Sequence, residues 1–571
     1  MAMSSDPARR LRFISFVVIA LSALIGARLY FLQVARADEF SARAVREYAE
    51  NGSVPFARGD IFFTDKDGEL AVAAGLKSGL TLALDPLHIE DSESAYASLA
   101  PFVPTIARED FLARVQKQDA RYEELAKRLP EETAEKIENL EIPGVLLIRE
   151  RWRFYPGGAR AAHALGFVGG GEEGAVGRYG LERYYQHVLA RAPSSPYQNF
   201  FGELLGAARA LKDGNGEGDV QVSVEPSVQS FLEQSIRGVA ERFVSRETGG
   251  IVMNPKTGEV LALAATPSFD LNNFQKEKDW RVFVNPLVEN VYEFGSIMKP
   301  ITMAAGIDSG AITPESTYDD EGYLTLDGKT IYNFDKKGRG KKVPMQEVLS
   351  QSLNTGAAFV ALKMGTSEFA DYLRAFGIGT ETGIDLPNEA SGLIENLESP
   401  RQIEYATASF GQGIATTPIA MTRALAALAN KGVLPNPHLA TRISYSLGAF
   451  SKPSFGEPTR VIAEDTSEAV TQMLVTVVDK ALLGGTKKLE SWSVAAKTGT
   501  AQMAKTDVGG YSEDKFLHSF FGYFPAYDPQ FIVFLYTVEP KGVSFAANTL
   551  PAPFFDITKF LLNYYAVPPD R

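Results

Sequence analysis

Cysteine is absent from the 571 residues. That excludes disulfides, thiolate metal sites and a cysteine nucleophile. It is compatible with an oxidising compartment without demonstrating one. Histidine is scarce, and His88, His163, His187, His438 and His518 are scattered along the chain. None stands in an H-E-x-x-H or other metal spacing, so each reads as structural and no metal is expected. Basic residues are outnumbered, 57 against 70 acidic ones, for a net charge of −13. A chain with that balance is not expected to hold nucleic acid. Long apolar runs are also missing, with one exception.

The exception is Phe13 to Ala27, 15 uncharged residues. Arg28 interrupts it and Leu29 to Val34 continues it. An arginine near one end can reach the interface, so Leu11 to Val34 is long enough to span a bilayer. Arg9, Arg10 and Arg12 precede the run and orient the N-terminus to the cytoplasm. The expectation is a tail over 1–12, a single-pass anchor in the cytoplasmic membrane over 13–34, and the rest of the chain outside. Ala35-Arg36-Ala37 has the small-x-small form of a cleavage site, so a removed signal peptide is the competing reading. Either way the bulk of the chain is exported.

The length allows two or three domains, and the 45% apolar content allows sizeable cores. Residues 38–57 read as a charged helical stalk. Arg58 to Thr64 and Glu69 to Ala73 read as strands around a turn at Asp65-Lys66-Asp67-Gly68, with a further short strand at Leu80 to Leu84. Residues 91–141 favour helix, with Pro130 opening one. Val145 to Ile148 and Arg151 to Tyr155 alternate as two strands. Gly169-Gly170-Gly171 lacks a following Gly-Lys-Ser/Thr and reads as a loop rather than a phosphate cradle. Pro193 to Pro196 and Gly214 to Gly218 look like linkers. A first exported domain over 38–215 and a second over 219–571 follow. The second opens with a strand at Val220 to Val224, a helix from Pro226 and a hairpin around Asn254 to Gly258. A largely helical stretch to about residue 432 comes next, then strands at Ser493 to Ala496, Phe520 to Phe524 and Gln530 to Val538, and a closing helix from Phe554. That order predicts an α+β domain whose sheet is built from both ends.

Chemistry concentrates in three places. Gly295-Ser296-Ile297-Met298-Lys299-Pro300 heads a helix whose apolar stripe is Ile297, Ile301, Ala304 and Ala305. Ser296 and Lys299 are three apart and share a face, a nucleophile beside a base. Alone the triplet is weak, and a chance copy occurs at Ser512 to Lys515. Ser352 and Asn354 place a hydroxyl and an amide two residues apart, a pair that can shuttle a proton and hold a substrate amide. Lys497-Thr498-Gly499-Thr500 ends an apolar run. It offers a fixed positive charge, a hydroxyl, and a glycine against which a substrate backbone can lie. The N–H groups of Ser296 and Thr500 can form an oxyanion hole. Lys256-Thr257-Gly258 has the same three letters as 497–499, but it precedes the nucleophile and follows Pro255, so it reads as turn chemistry.

These triplets, in this order, resemble the class B penicillin-binding proteins, the membrane-anchored D,D-transpeptidases of peptidoglycan synthesis. The resemblance covers nearly the whole chain. Arg58-Gly59-Asp60-Ile61 with Asp67-Gly68 is similar to the family's usual start after the anchor, and Arg153-Phe154-Tyr155-Pro156, Ala162-His163 and Gly180-Leu181-Glu182 are similar to its pedestal motifs. Asn254 to Ala262 is similar to its first hairpin, and Ser409 to Gly413 with Thr416-Thr417-Pro418 to its stretch before the last strands. Leu353 departs from the polar residue common inside the second triplet. The resemblance implies an elongated α+β pedestal followed by a penicillin-recognising transpeptidase domain of the serine β-lactamase type. It implies that Ser296 attacks the D-Ala–D-Ala carbonyl of a stem peptide and Lys299 takes the proton. Ser352 would relay it to the leaving D-Ala, Asn354 would orient the donor, and Lys497 and Thr498 would bind its carboxylate. β-Lactams would acylate the same serine. No cofactor is implied. The implied partners are stem peptides, the lipid-linked glycan precursor, a membrane glycan polymerase of the SEDS type, and other divisome or elongasome membrane proteins. The short Lys497 to His518 segment is more similar to the division-specific type than to the elongation-specific one. Two other classes stay open at this point: a β-lactamase or carboxypeptidase of the same fold, and a non-enzymatic β-lactam sensor or septal scaffold.

Overall fold

A computed structural model of the chain describes residues 7–31, 56–117, 120–171, 174–191, 216–505 and 510–571. The expected stalk over 38–57 and the linker at Pro193 to Pro196 fall wholly or mostly outside these residues. The chain opens on a helix, Pro7–Tyr30. Side chains are described continuously there for Phe13 to Ile25, and all are exposed. That stretch rises only about 20 Å, short of the ~30 Å hydrocarbon core. No helix among the described residues is long and apolar enough to cross a membrane.

Two sheets carry the rest. The first has seven strands and runs through Phe450–Ser451, Ala440–Tyr445, Gly218–Val222, Ile61–Thr64, Leu70–Leu84 and Glu123–Leu129, with Val145–Phe154 also paired to Leu70–Leu84. Several expectations are corrected here. Leu70–Leu84 is one strand, not two, because Val145–Phe154, itself unbroken, pairs with it from Gly75 to Leu84. Gly79 interrupts the apolar pattern for a reason: a Cβ there would meet the Trp152 ring at 2.8 Å. Glu123–Leu129 is a strand inside a stretch expected to be helical, held by pairing with Leu80 to Leu84. The glycines at 169–171 belong to a hairpin, Val168–Gly171 with Gly174–Gly177, rather than to a loop. Gly218–Val222 lies parallel to Ile61–Phe63 and antiparallel to Ala440–Tyr445, so the strand that was to open the second domain completes the first domain's sheet.

The second sheet has the predicted construction. Its order is Ala495–Ala504, Tyr511–Phe524, Phe531–Val538, Glu247–Met253, Val260–Thr266, all antiparallel. Phe531–Val538 is buried on both faces, and its side chains alternate between two cores. Ile532, Phe534 and Tyr536 face Ile301, Ala304 and Leu425, while Val533 and Leu535 face Leu232, Ile236 and Phe554. Helices therefore cover both sides. Pro226–Phe243 starts where Glu225 caps it, its carboxylate accepting from Val228 N at 2.6 Å, with Pro226 in the first turn where no N–H is missed. Helices Pro226–Phe243 and Pro551–Tyr564 cover one face; Lys299–Asp308, Pro418–Ala429 and Glu464–Thr476 cover the other. The span 317–344 is not helical as expected. It holds two small antiparallel ladders, Thr317–Asp320 with Gly340–Pro344 and Tyr323–Leu326 with Lys329–Tyr332.

One buried ion network fastens the start of the first sheet. Glu182 is fully buried and accepts from Arg58 Nε at 2.6 Å, Arg153 Nε at 2.5 Å and the Tyr155 hydroxyl at 3.2 Å. Deleting the shared buried carboxylate leaves Arg58 without its acidic partner and Arg153 with only Asp60 at 3.9 Å. Glu182→Ala is expected to lower stability by about 3–5 kcal/mol, read from urea unfolding. A midpoint unchanged from wild type would remove this network from the fold's stability.

Candidate active site

Gly295–Met298 forms a 3₁₀ turn that runs into the helix Lys299–Asp308. Phe294, just before it, is buried edge-on against Phe534 at 5.1 Å, which anchors the turn in the core. Gly295 has φ +66, and a Cβ there would meet the Thr500 carbonyl oxygen at 2.5 Å. Only glycine lets the turn press against the edge strand Ala495–Ala504. Ser296 is thereby held where that strand and the helix meet.

The three sequence clusters converge as two hydroxyls and two amines. Lys299 Nζ stands 3.0 Å from Ser296 Oγ and 3.2 Å from Ser352 Oγ. It donates to the Ser352 carbonyl at 2.6 Å and to Asn354 Oδ1 at 2.8 Å. Lys497 Nζ approaches Ser352 Oγ from the other side at 3.0 Å and donates to the Thr498 carbonyl at 3.1 Å. Ser352 itself is left-handed, φ +55, an unfavourable backbone for serine that points its carbonyl and its hydroxyl at the same amine.

Burial sets the protonation. Lys299 is 1% exposed, and loss of water, then the Lys497 charge, push its pKa well below the ordinary lysine value. Burial alone brings Lys497 down to about 7. Burial thus favours the neutral amine at both lysines, and at Lys299 the neighbouring charge adds to it. A neutral amine has two N–H bonds and one lone pair. The two carbonyl acceptors take both N–H bonds, which leaves the lone pair for the Ser296 or Ser352 hydroxyl. That arrangement can draw a proton off a nucleophile and pass it along Ser352.

Thr498 and Thr500 are half-buried on the strand, while Lys497 and Gly499 face inward. Gly499 was expected to clear space for a substrate backbone. Its missing side chain instead faces Ser519 Oγ and the Phe294 carbonyl, so it makes room for the nucleophile turn. Thr500 Oγ1 accepts from Ala546 N at 3.1 Å, which leaves its O–H free to donate. The chance triplet Ser512 to Lys515 lies on the strand Tyr511–Phe524, where positions three apart face opposite sides. Lys256 to Gly258 is a turn closed on Asn254 Oδ1 at 2.9 Å. Buried His163 and His518 are both lowered to about 4 by burial. Neither touches the cluster, and no group of metal-binding side chains occurs among the described residues.

Sequence reasoning missed the support behind Asn354. Its amide donates to the Tyr332 carbonyl at 2.9 Å, which turns Oδ1 toward Lys299. Tyr332 is held in turn by buried Asp320. That carboxylate accepts from Gly322 N, Asn333 Nδ2, Arg339 N and Thr355 Oγ1, at 2.9, 3.1, 3.0 and 2.8 Å. No spacing announces such a hub, because half of its donors are backbone groups and all four come from separate segments.

The sheet, the turn and the paired lysines have the build of an active-serine acyl-transfer enzyme. Comparison with known proteins narrows that class. Residues 248–557 match the penicillin binding protein transpeptidase domain, and residues 53–192 the penicillin-binding protein dimerisation domain. The probable peptidoglycan D,D-transpeptidase FtsI of Caulobacter vibrioides is 30% identical over 85% of this chain and 76% of its own. Stage V sporulation protein D of Bacillus subtilis is 29% identical over 95% of this chain and 84% of its own. Penicillin-binding protein 3 of Mycobacterium tuberculosis, solved with aztreonam, superposes with a TM-score of 0.69 at 23% identity, covering 90% of this chain and 98% of that one. The chain belongs to the penicillin-binding protein transpeptidase family, in the class B form with a dimerisation domain ahead of the transpeptidase domain.

The two lysines predict a pH signature. Acylation by an anionic penicillin is expected to rise with pH as Lys299 loses its proton and to fall as Lys497 loses its charge, from about pH 7. Arginine keeps its charge throughout, so Lys497→Arg is expected to move the alkaline limb up by about one unit or more. Acylation rates between roughly pH 5 and 9 decide this. An unmoved limb would take Lys497 out of carboxylate recognition.

Proposed function

We propose that Ser296 is the acylated residue of a peptidoglycan D,D-transpeptidase that works in cell division. Its Oγ attacks the penultimate D-Ala carbonyl of a donor stem peptide, and Lys299 accepts the hydroxyl proton. The N–H groups of Ser296 and Thr500 hold the oxyanion. Ser352 returns the proton to the nitrogen of the leaving D-Ala, and the C–N bond breaks. Asn354 orients the donor amide. Lys497 and Thr498 hold the terminal carboxylate, with Gly499 keeping the strand against the nucleophile turn. An amine of a second stem then attacks the ester, giving its proton back along the same route, and the cross-link forms as Ser296 is released. A β-lactam follows the first half of this path, ring opening taking the place of D-Ala departure.

The observation that carries this reading is the placement of the buried Lys299 Nζ, 3.0 Å from Ser296 Oγ and 3.2 Å from Ser352 Oγ, with both hydroxyls on partly exposed residues. Family membership and the names of the relatives support the reaction and its role in division. For the chain as a whole we propose a cytoplasmic tail over 1–12, a single-pass anchor over 13–34, a pedestal over 38–215 and a transpeptidase domain over 219–571. What supports the anchor is a helix whose described apolar side chains all face outward, Phe13, Phe16 and Leu24 among them, with three arginines ahead of it. The catalytic domain then lies outside the cytoplasm. A glycan polymerase of the SEDS type and other membrane proteins of the division machinery are its proposed partners.

Labelled penicillin and mass mapping test the assignment. Ser296→Ala is expected to abolish labelling, while Ser512→Ala keeps it; label on Ser512 would sink the reading. Lys299→Ala is expected to slow acylation and cross-linking by about 10²–10⁴-fold. Wild-type protein that acylates yet joins no acceptor amine would be a reader rather than an enzyme. N-terminal sequencing of membrane-extracted protein checks the anchor, since a chain beginning at Asp38 would mean a cleaved signal.

A further inference from the structure

The chain is acidic overall, yet residues 336–342 read Lys-Lys-Gly-Arg-Gly-Lys-Lys, five cations in seven positions. Lys336, Lys337, Lys341 and Lys342 are exposed, and none has an ion-pair partner among the described residues. Lys336 and Lys342 have φ of 57 and 58. That left-handed backbone is unfavourable for lysine, and glycine would adopt it freely. Aromatic rings lie alongside. Tyr323, Tyr332 and Phe334 are 50, 47 and 59% exposed.

This face borders the catalytic cleft and is rigidly tied to it. Tyr332 gives its carbonyl to Asn354 at 2.9 Å. Arg339 donates Nε to Gln351 at 2.7 Å, next to Ser352, while its other nitrogens hold Asp335. Across the cleft, Phe334 meets Phe545 at 5.9 Å, and Ala546 bonds Thr500. The two ladders thus form one wall of the cleft mouth, and the lysines stand on its outer side. Unpaired surface lysines are usually only solvated. Here they lie on the segment that also holds Asn354 and Gln351 beside the catalytic residues, in a protein whose net charge would otherwise repel an anion.

We propose that the ladder face of residues 323–342, through Lys336, Lys337, Lys341 and Lys342 with Tyr332 and Phe334, docks the acceptor strand by the carboxylates of its stem peptide. This rests on the transpeptidase reading above. The donor's carboxylate is taken up inside the cleft by Lys497 and Thr498. The acceptor approaches from outside and has to be retained there while its amine reaches the acyl-ester. Exposed charges act over about 8 Å at physiological salt, enough to steer an anionic peptide to the mouth.

The experiment compares acceptor stems ending in a carboxylate or in a carboxamide, with full-length wild type and the K336Q/K337Q/K341Q/K342Q variant. Wild type is expected to show an acceptor KM about tenfold lower for the carboxylate, a preference lost in the variant and at high salt, with kcat unchanged. An acceptor KM that does not move in the variant would overturn the proposal. So would a variant defect that appears only as weaker binding to anionic-lipid vesicles, which would make this a membrane-facing surface. Penicillin labelling of the wild type reads the cleft separately: its failure would strike the transpeptidase assignment, whereas altered acceptor KM alone bears on the docking face.

Discussion

Lys299 is taken out of water between two helices, and its amine is held by the Ser352 carbonyl at 2.6 Å and Asn354 Oδ1 at 2.8 Å. Desolvation disfavours its charge, and the second buried lysine disfavours it further. The rest of the site is arranged around keeping that amine dry, neutral and aimed. Gly295 and Gly499 let the nucleophile turn and the edge strand close together, so that Ser296 meets the amine. The left-handed Ser352 turns carbonyl and hydroxyl to the same point. The Asp320 hub keeps Tyr332 in place, and Tyr332 keeps Asn354 from rotating away.

Two lysines so near one hydroxyl would be a poor arrangement if both were charged. Their mutual repulsion in a low-dielectric site is what separates their roles. In the proposed mechanism one becomes the base and the other remains the cation that an anionic substrate meets. The division depends on surroundings rather than on residue type, since the two side chains are chemically identical.

The pedestal and the catalytic domain are less separable than a linear division of the chain suggests. Gly218–Val222 and Ala440–Tyr445 belong by position to the second part, but they extend the first part's sheet. Tyr185 from the first part also donates to buried Asp385 in the second at 2.9 Å. A backbone ladder and a buried hydrogen bond thus cross the boundary between the two parts.

Local sequence determined the elements whose signals are short-range. The helix from Pro226, the hairpin around Asn254 to Gly258 and the strand leading into Lys497 depend on capping, turn chemistry and alternation. The pairing of Ser296 with Lys299 was legible because a helical turn fixes positions three apart. Tertiary structure decided the rest. Leu70–Leu84 is continuous through its glycines only because a partner strand runs beside it, and Glu123–Leu129 is a strand because it completes that ladder. Gly499 makes room for the nucleophile turn, Tyr332 orients Asn354, and Asp320 ties the ladders to Thr355, all through contacts distant in sequence. Side chains that meet only after the chain has closed leave no period or spacing behind them. Their chemistry is written in the sequence, but their distances are set by packing.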